Sequence, residues 1–271
     1  MHNYLRKPSI EDKDKVRSWE RTLAFRQQLL AKKNADYFVV NAPNKEDVYP
    51  EYFPERFVHR RGTTMLELME QKMSNRPVGS HFLDLTGPLR QAKNTGEIYY
   101  KTDSHWNDKG AYTAYRAIME RIQQWHPYAK ALADDQFTSN FFKDSYGGDI
   151  VLAMGLNKFL TESNEKWQIK ERCASLESEI FTPEGMPKEK SLEKSGCPTG
   201  IPLRVLIISD SFGEGIKKFF NETFQSVFYS REVPFPLLHS FVYKYQPDII
   251  IDLRVARNLA KVMSPGQGEE Y

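Results

Sequence analysis

The sequence contains little that would suggest a membrane-spanning or nucleic-acid-binding protein. No run of ~18 apolar residues occurs, so no membrane span is predicted. Lys and Arg number 38 against 36 Asp and Glu, a net charge of +2. A nucleic-acid binder is expected to concentrate basic charge on one face, so this balance argues against that class. Residues 1–14 are polar and charged, and no signal peptide is predicted, although a mature chain after removal of its export signal would look the same.

Cysteine and histidine are also sparse. The six histidines are scattered, and no Cys/His cluster has the spacing of zinc ligands. We therefore predict no metal site and no cofactor. Cys173 and Cys197 fall in the most polar part of the chain, residues 161–200. A disulfide is plausible there if the protein is exported, two unpaired thiols are almost as plausible, and the spacing does not decide between them.

Length and composition indicate a globular protein with a sizeable core. The 271 residues suit one large domain over 1–271, and 40% are hydrophobic against 27% charged. Residues 161–200 are polar and contain three prolines, so we expect an insertion that covers or edges the site. From about residue 264 onward we expect a disordered tail.

Short apolar runs alternate with helical patterns along the chain. Residues 37–40 and 205–208 are typical of buried strands, whereas residues 10–33 and 216–224 have helical character. Strands that alternate with helices favour an α/β fold, here a three-layer α/β/α sandwich with a mostly parallel central sheet.

One segment places a carboxylate two positions before an imidazole. Residues 100–112 read Tyr-Lys-Thr-Asp-Ser-His-Trp-Asn-Asp-Lys-Gly-Ala-Tyr, with Asp103 and His105 at the centre. Asn107 is a typical N-cap residue, and apolar residues recur at helical spacing from Ala111 to Ile122. Asp103 and His105 therefore lie in the irregular entry to a helix, where side chains can project into a cleft. From this segment alone, a capping aspartate and a surface histidine are an equally good interpretation.

A second segment supplies a serine in a position that suits a nucleophile. The predicted strand 205–208 leads into Ser-Asp-Ser-Phe-Gly at residues 209–213, a tight turn before the next helix. Ser211 would lie at the carboxyl end of a strand, beside N–H groups that can stabilise an oxyanion. Serine and aspartate are also ordinary turn and cap residues. Together with Asp103 and His105, however, Ser211 completes the three roles of a catalytic triad.

These two segments together resemble the polysaccharide O-acetyltransferases of the alginate-acetylation type, which have a permuted SGNH-hydrolase-like domain. Residues 41–51, 147–149 and 246–251 are similar to further segments of that family, so the resemblance runs from about residue 16 to about residue 260. The chain departs from the family pattern at Ser209, where many relatives have glycine or threonine. It departs again at residues 252–257, where relatives commonly have a glutamate and a Glu-Arg pair.

The resemblance implies Ser211 as nucleophile, His105 as general base and Asp103 as the residue that orients it. It also implies transfer of an acetyl group through a serine acyl-enzyme onto hydroxyls of an exported polysaccharide. The acetyl donor would come through a membrane-bound O-acyltransferase partner, and the location would be periplasmic or otherwise extracytoplasmic. A carbohydrate acetylesterase uses the same chemistry, and an inactive polysaccharide-binding module has the same motifs; both remain alternatives.

Five further residues are candidates for substrate or oxyanion contacts. A backbone N–H from Gly147 or Gly148 can serve as an oxyanion donor, although a plain turn explains the pair equally well. Lys45 follows a predicted strand at the edge where α/β sheets bind ligands, although a solvated loop lysine is the simpler interpretation. Tyr100 and Trp106 flank the proposed triad and suit sugar stacking, or else core packing.

Overall fold

Strands and helices alternate through most of the chain. The computed structural model describes residues 10–58, 61–73, 77–170, 173, 177–183, 191–231 and 241–259. The strands are β1 (Asp36–Ala42), β2 (Phe82–Asp84), β3 (Phe137–Lys143), β4 (Ser163–Ile169), β5 (Glu177–Phe181), β6 (Leu192–Gly196), β7 (Ile201–Ser209), β8 (Phe224–Arg231) and β9 (Ile249–Val255). The α-helices are α1 (Ile10–Ala31), α2 (Lys45–Val48), α3 (Glu55–Val58), α4 (Met65–Met73), α5 (Thr86–Ala92), α6 (Asp108–Gln123), α7 (Asp149–Ala153) and α8 (Lys217–Thr223). Among these helices, none has both the length and the apolar character needed to cross a bilayer.

Seven strands form one sheet in the order β2-β1-β9-β7-β8-β6-β5. The five strands from β2 to β8 in that order are parallel, and β6 and β5 extend the sheet in antiparallel pairing. The predicted α/β fold with a mostly parallel central sheet is confirmed. Because β1, β7 and β9 are parallel neighbours, their carboxyl ends meet at one edge, which is where open α/β sheets bind ligands.

Both faces of the central strands are covered by helices. In β1, Phe38 and Val40 pack into a core shared with α5, α6 and α8, whereas Tyr37 and Val39 pack into a second core with α1 and α4. Successive strand residues point to opposite faces, so the two cores lie on opposite sides of the sheet. This arrangement explains why the central strands are continuous apolar runs in the sequence.

Helix α6 is fixed at its start by a side-chain cap. Asn107 Oδ1 accepts a hydrogen bond from the Gly110 N–H at 3.0 Å, as expected for an N-cap. The backbone of Gly110 also lies close to the segment at Ile98, because a Cβ at position 110 would be 2.1 Å from the Ile98 carbonyl oxygen. The backbone bond from Asn107 N–H to the same carbonyl, at 3.0 Å, closes the loop that contains Asp103 and His105.

The segment predicted to be a polar insertion contributes strands. Strand β4 pairs with β3 over seven residue pairs in a separate two-stranded sheet, and β5 and β6 belong to the main sheet. The Sγ atoms of Cys173 and Cys197 are joined in a disulfide, with the two Cα atoms 5.8 Å apart. The single domain over 1–271 stays a prediction, and the predicted tail from residue 264 lies outside the described residues.

Candidate active site

The three side chains named from the two sequence motifs lie in one hydrogen-bonded series. Ser211 is the first residue of a 3₁₀ helix that follows β7 after Asp210. Its Oγ lies 2.7 Å from His105 Nε2, and His105 Nδ1 lies 2.6 Å from Asp103 Oδ1. All three residues are partly buried. A hydroxyl, an imidazole and a carboxylate at these distances are within reach of proton transfer.

Asp103 is held as a carboxylate that accepts several hydrogen bonds. Its Oδ1 accepts from the His105 backbone N–H at 2.9 Å, and its Oδ2 accepts from the Asp149 N–H at 3.0 Å. Burial alone would raise the pKa of Asp103, but the bonds from the His105 ring and from these two N–H groups lower it well below its usual range. An ionised Asp103 favours the imidazole tautomer with its proton on Nδ1, which leaves Nε2 to accept from the Ser211 hydroxyl.

Lys45 supports the loop that contains Asp103. Its Nζ donates to the carbonyl oxygens of Tyr100 at 2.6 Å, Lys101 at 3.0 Å and Asp103 at 3.1 Å. Three acceptors match the three donors of an ammonium group. Burial lowers the pKa of Lys45, against the opposing charge of Glu162. These contacts are those of a loop anchor. Lys45 also lines the cleft beside Ser104, and its predicted contact with substrate stays a prediction.

Two acidic residues hold the same loop from the other side. Asp149 accepts from the Ser104 N–H and Oγ, both at 2.6 Å. Glu162 accepts from the N–H groups of Lys101 at 2.7 Å and Thr102 at 2.8 Å. Asp149 belongs to a segment of the family resemblance, but Glu162 stands in a polar stretch with no motif. No residue pattern therefore marks the Glu162 contact.

The N–H groups of the glycine pair are engaged away from the serine. The Gly147 N–H donates to the Asn157 carbonyl at 2.7 Å, and the Gly148 N–H donates to Thr102 Oγ1 at 3.0 Å. Gly148 packs against Asp103, since a Cβ at that position would lie 2.4 Å from the Asp103 Cβ. The structure therefore does not support the oxyanion-donor role suggested for this pair. The absence of a side chain at Gly148 instead lets the chain approach the Asp103 carboxylate.

The two aromatic candidates differ in their surroundings. Trp106 is 3% exposed and packs edge-on against Phe212, with ring centroids 4.9 Å apart. Core packing therefore describes Trp106, and it presents no face to a sugar. Tyr100 is half-buried; its hydroxyl accepts from Lys166 Nζ at 2.9 Å, and that cation lies 4.8 Å from the ring centroid. Lys166 therefore occupies both polar and aromatic groups of Tyr100.

A cleft of about 260 Å³ opens beside Ser104, the neighbour of His105. The rings of Tyr49 and Tyr52 stack in its wall, with centroids 5.9 Å apart, and Tyr52 is 80% exposed. Arg257 also lines the cleft, with its guanidinium 5.5 Å from the ring centroid of Phe212, the residue after the serine. Tyr49 lies in the family-like segment 41–51 and Arg257 in the divergent segment 252–257, but the sequence predicts neither of them, nor Tyr52, as a site residue.

Asp210 links the serine turn to the segment that contains Arg257. Its buried carboxylate accepts from the Phe212 N–H at 3.1 Å through Oδ1. Through Oδ2 it accepts from the Val255 N–H at 2.9 Å and from Asn258 Nδ2 at 3.1 Å. The turn at the end of β7 and the end of β9 are therefore fixed relative to one another. Asp210 is the N-cap of the 3₁₀ helix, a role that its place in the turn allows, whereas its bonds to Val255 and Asn258 cannot be read from the turn motif.

Among the described residues, one group of three side chains could hold a cation, and this group lies in the site. One ligand atom each from Asp103, His105 and Asp149 lie within 4.8 Å of one another. All three side chains already take part in the hydrogen bonds to Ser104, to Ser211 and between Asp103 and His105. In this arrangement, hydrogen bonds to Asp103 and Ser211 fix the orientation of the His105 imidazole.

Residues 2–199 match the family described as "SGNH hydrolase-like domain, acetyltransferase AlgX". The chain belongs to this family. Among sequence relatives, the probable alginate O-acetylase AlgJ of Azotobacter vinelandii is 32% identical over 87 residues, which are 31% of this chain and 21% of the relative. The AlgJ protein of Pseudomonas syringae pv. tomato is 25% identical over 130 residues, 47% of this chain and 32% of the relative. The chain therefore matches between about a fifth and a third of the length of these relatives.

Solved structures with similar folds extend over nearly the whole chain. Bacillus cereus PatB1 with a sulfonyl adduct superposes with a TM-score of 0.71 at 13% identity, covering 95% of this chain and 93% of the other. The O-acetyltransferase domain of Pseudomonas putida AlgJ superposes with a TM-score of 0.61 at 14% identity, covering 94% and 87%. At these identities the similarity establishes a shared SGNH-like fold.

Proposed function

We propose that this chain is a serine-dependent O-acetyltransferase that transfers an acetyl group through a serine acyl-enzyme onto hydroxyls of an exported polysaccharide. The observation that carries the proposal is the hydrogen-bonded series of Asp103, His105 and Ser211, with contacts of 2.6 and 2.7 Å. Membership of the AlgX acetyltransferase family supports the same class of reaction. Such short contacts argue against an inactive polysaccharide-binding module.

The first half-reaction acylates the serine. His105 Nε2 takes the Ser211 hydroxyl proton as Oγ bonds to the acetyl carbonyl of the donor. The bond from that carbon to the leaving group then breaks, and the leaving group takes the proton from His105. Asp103 stays ionised and stabilises the imidazolium. One oxyanion donor in this scheme is the N–H of Ser211 itself, at the start of its 3₁₀ helix.

The second half-reaction transfers the acetyl group to the acceptor. His105 takes the proton of a sugar hydroxyl as that oxygen attacks the acetyl carbonyl. The bond to Ser211 Oγ breaks, and His105 returns a proton to that oxygen. A sugar must outcompete water at ~55 M, and a well-oriented hydroxyl can do so because effective molarities reach ~10⁵ M or more.

The cleft beside Ser104 is the proposed acceptor site. The exposed face of Tyr52 suits stacking on a sugar ring, and the Arg257 guanidinium suits the carboxylate of a uronate. Two relatives are named probable alginate O-acetylases, and alginate is an anionic polysaccharide. A positive charge in the cleft agrees with an acceptor of that kind. We further propose that a membrane-bound partner supplies the acetyl donor and that the chain works in the periplasm, an oxidising compartment in which the Cys173–Cys197 disulfide would persist.

Intact mass after exposure to p-nitrophenyl acetate tests the acyl-enzyme. Wild type should gain one acetyl group, and Ser211→Ala should gain none. Ser104→Ala is the matched control, because this neighbouring serine bonds Asp149 and does not contact His105 Nε2 in the structure. An adduct of equal yield in Ser211→Ala would place the nucleophile elsewhere.

A donor-plus-oligosaccharide assay then separates transferase from esterase. As the acceptor concentration rises, acetylated mannuronate oligomer should appear and release of free acetate should fall. Unchanged acetate release without acetylated product, with glucose and N-acetylglucosamine oligomers as well, would instead identify a carbohydrate acetylesterase.

A further inference from the structure

Thr102, the residue before Asp103, is bonded to two distant segments of the chain. It is partly buried, and its hydroxyl and its N–H both donate to Glu162 Oε1, the N–H at 2.8 Å. The hydroxyl oxygen also accepts from the Gly148 N–H at 3.0 Å. The Thr102 carbonyl oxygen accepts from two N–H groups in the first turn of α7, at 3.2 and 3.3 Å. Thr102 therefore joins the segment before β4 to the start of α7.

The partners of the Thr102 hydroxyl fix its direction. A carboxylate only accepts hydrogen bonds, so the hydroxyl donates its proton to Glu162. Its oxygen then presents a lone pair to the Gly148 N–H, and donation to a carboxylate strengthens this second bond. The branched Cβ of threonine also restricts its χ1 rotamers. The hydroxyl therefore connects Glu162 to Gly148 in one defined geometry.

The peptide at Gly148 leads directly to the contact with Asp103. The next N–H along the chain, that of Asp149, donates to Asp103 Oδ2 at 3.0 Å. Gly148 itself lies against Asp103, since a Cβ at position 148 would be 2.4 Å from the Asp103 Cβ. A shift of this peptide would move the donor that holds the carboxylate. In the described part of the chain, no hydrogen bond joins Thr102 to the imidazole or to the nucleophilic serine, so its influence on them passes through Asp103.

We infer that Thr102 is a positioning residue of the proposed triad, whose hydroxyl sets the start of α7 so that the Asp149 N–H donates to Asp103. Asp103 in turn orients the imidazole toward Ser211. A misplacement of ~1 Å at a reacting group can lower a rate by roughly 10²-fold. A side chain that touches no reacting atom can therefore govern kcat. This inference rests on the acyl transfer proposed above.

Thr102→Val tests the hydroxyl, because valine keeps the branched shape and lacks both donor and acceptor. With p-nitrophenyl acetate, kcat should fall about tenfold and KM should stay nearly unchanged, since Thr102 acts on the triad and not on the substrate. Thr102→Ser restores the hydroxyl and should recover most of the loss. Thr95→Val is the matched control, because Thr95 Oγ1 bonds the Ala92 carbonyl at 2.8 Å away from the triad, and it should turn over like wild type.

The proton NMR signal of His105 Nδ1–H separates positioning from loss of folding. A short hydrogen bond to a carboxylate moves such a signal far downfield, so in folded Thr102→Val it should move upfield or broaden. Thr102→Ser should keep it. Glu162→Gln, a milder second variant that leaves the hydroxyl an oxygen to donate to, should shift kcat and the signal in the same direction by less.

Two results would overturn the inference. One is a wild-type kcat with an unchanged His105 signal in Thr102→Val. The other is an equal loss of kcat in Thr102→Val and Thr102→Ser, which would assign the effect to something other than the hydroxyl.

The intact-mass experiment keeps this inference apart from the proposed function. An acetyl group on Ser211 in wild type, together with normal kcat in Thr102→Val, would refute the inference alone. Absence of an acetyl group on Ser211 in wild type would refute the proposed function. The NMR comparison would then still decide whether Thr102 sets the contact between Asp103 and His105.

Discussion

Asp149 donates its backbone N–H to Asp103 Oδ2 at 3.0 Å, across 46 positions of the sequence. Its own carboxylate holds Ser104 at 2.6 Å, and one of its oxygens lies 3.8 Å from His105 Nδ1. The start of α7 therefore fixes both residues that precede the imidazole. The catalytic geometry proposed for this chain rests on contacts from a distant segment as well as on its own loop.

Asp149 is accordingly expected to be a positioning residue. Asp149→Ala removes the acceptors of the Ser104 N–H and Oγ, and should lower kcat for p-nitrophenyl acetate about tenfold with KM nearly unchanged. Asp149→Asn keeps one acceptor oxygen and should recover most of that loss. Asp135→Ala, at an exposed aspartate outside the site, is the control. A rise in KM alone would indicate a substrate contact.

The three members of the proposed triad should behave as a unit. Ser211→Ala and His105→Ala should each lose most turnover of p-nitrophenyl acetate, and the double variant should lose little more. Asp103→Asn should lower kcat by about 10²- to 10⁴-fold, because the amide favours the wrong imidazole tautomer. Additive losses in the Ser211/His105 double variant would show that the two side chains act independently.

Substitution of Lys45 distinguishes a residue that supports the active-site loop from one that binds substrate. Lys45→Met keeps the length of the side chain but removes the donor from three partly buried or exposed backbone carbonyls, and a hydrogen bond of this kind contributes ~0.5 to 1.5 kcal/mol. Both kcat and the unfolding midpoint in urea should fall. The exposed Lys130→Met serves as the control. If stability stayed at the wild-type value and only the acceptor KM rose, Lys45 would be a substrate ligand.

Arg257 should set the preference for an anionic acceptor. Arg257→Gln should raise KM for mannuronate oligomers about tenfold, since a bidentate contact with a carboxylate is lost, and Arg257→Lys should recover only part of it. Serine acylation by p-nitrophenyl acetate, measured as a burst, should be unchanged. An equal effect on neutral glucose oligomers would argue for a steric role of the side chain.

Stability is expected to depend on pH through Asp47. Burial and the nearby Glu46 carboxylate raise the pKa of Asp47 from 3.8 to about 6. The folded state therefore binds this proton more tightly than the unfolded state, and its contribution to the free energy of unfolding falls as pH rises from about 4 to about 6. Over that window the loss is roughly 2 to 3 kcal/mol.

Asp47→Asn should flatten this part of the pH dependence in urea unfolding. The substituted amide oxygen can still accept from the Asn44 N–H and side chain, which now bond the carboxylate at 3.1 and 3.2 Å. An unchanged slope between pH 4 and pH 6 would assign the effect to another group.

The sequence predicts the parts of the molecule that follow a period or a compact motif. Helix α6 and its Asn107 cap, and the strand before Ser211, follow from apolar spacing and turn chemistry. Strand β3 is missed because it is exposed on both faces and shows no alternation. Strands β5 and β6 are missed because they lie in a polar stretch.

The site residues likewise divide into those that a sequence motif indicates and those that only the fold reveals. Asp103 and His105 are local in sequence, and Ser211 has its own turn motif, so the residue pattern alone indicates all three. Lys45 is a loop anchor because its three acceptors are backbone carbonyls, which leave no trace in that pattern. The contacts of Arg257 depend on how β7 and β9 are paired, and pairing is a property of the fold.

The Cys173–Cys197 bridge affects how every one of these measurements must be done. It closes a loop with a sequence separation of 24, and a cross-link of that size contributes ~3 kcal/mol by restricting the unfolded chain. A sample prepared with reductant, or expressed in a reducing cytoplasm, therefore starts from a lower stability than an oxidised one. Variants can be compared with each other only when their thiol state has been checked and matched.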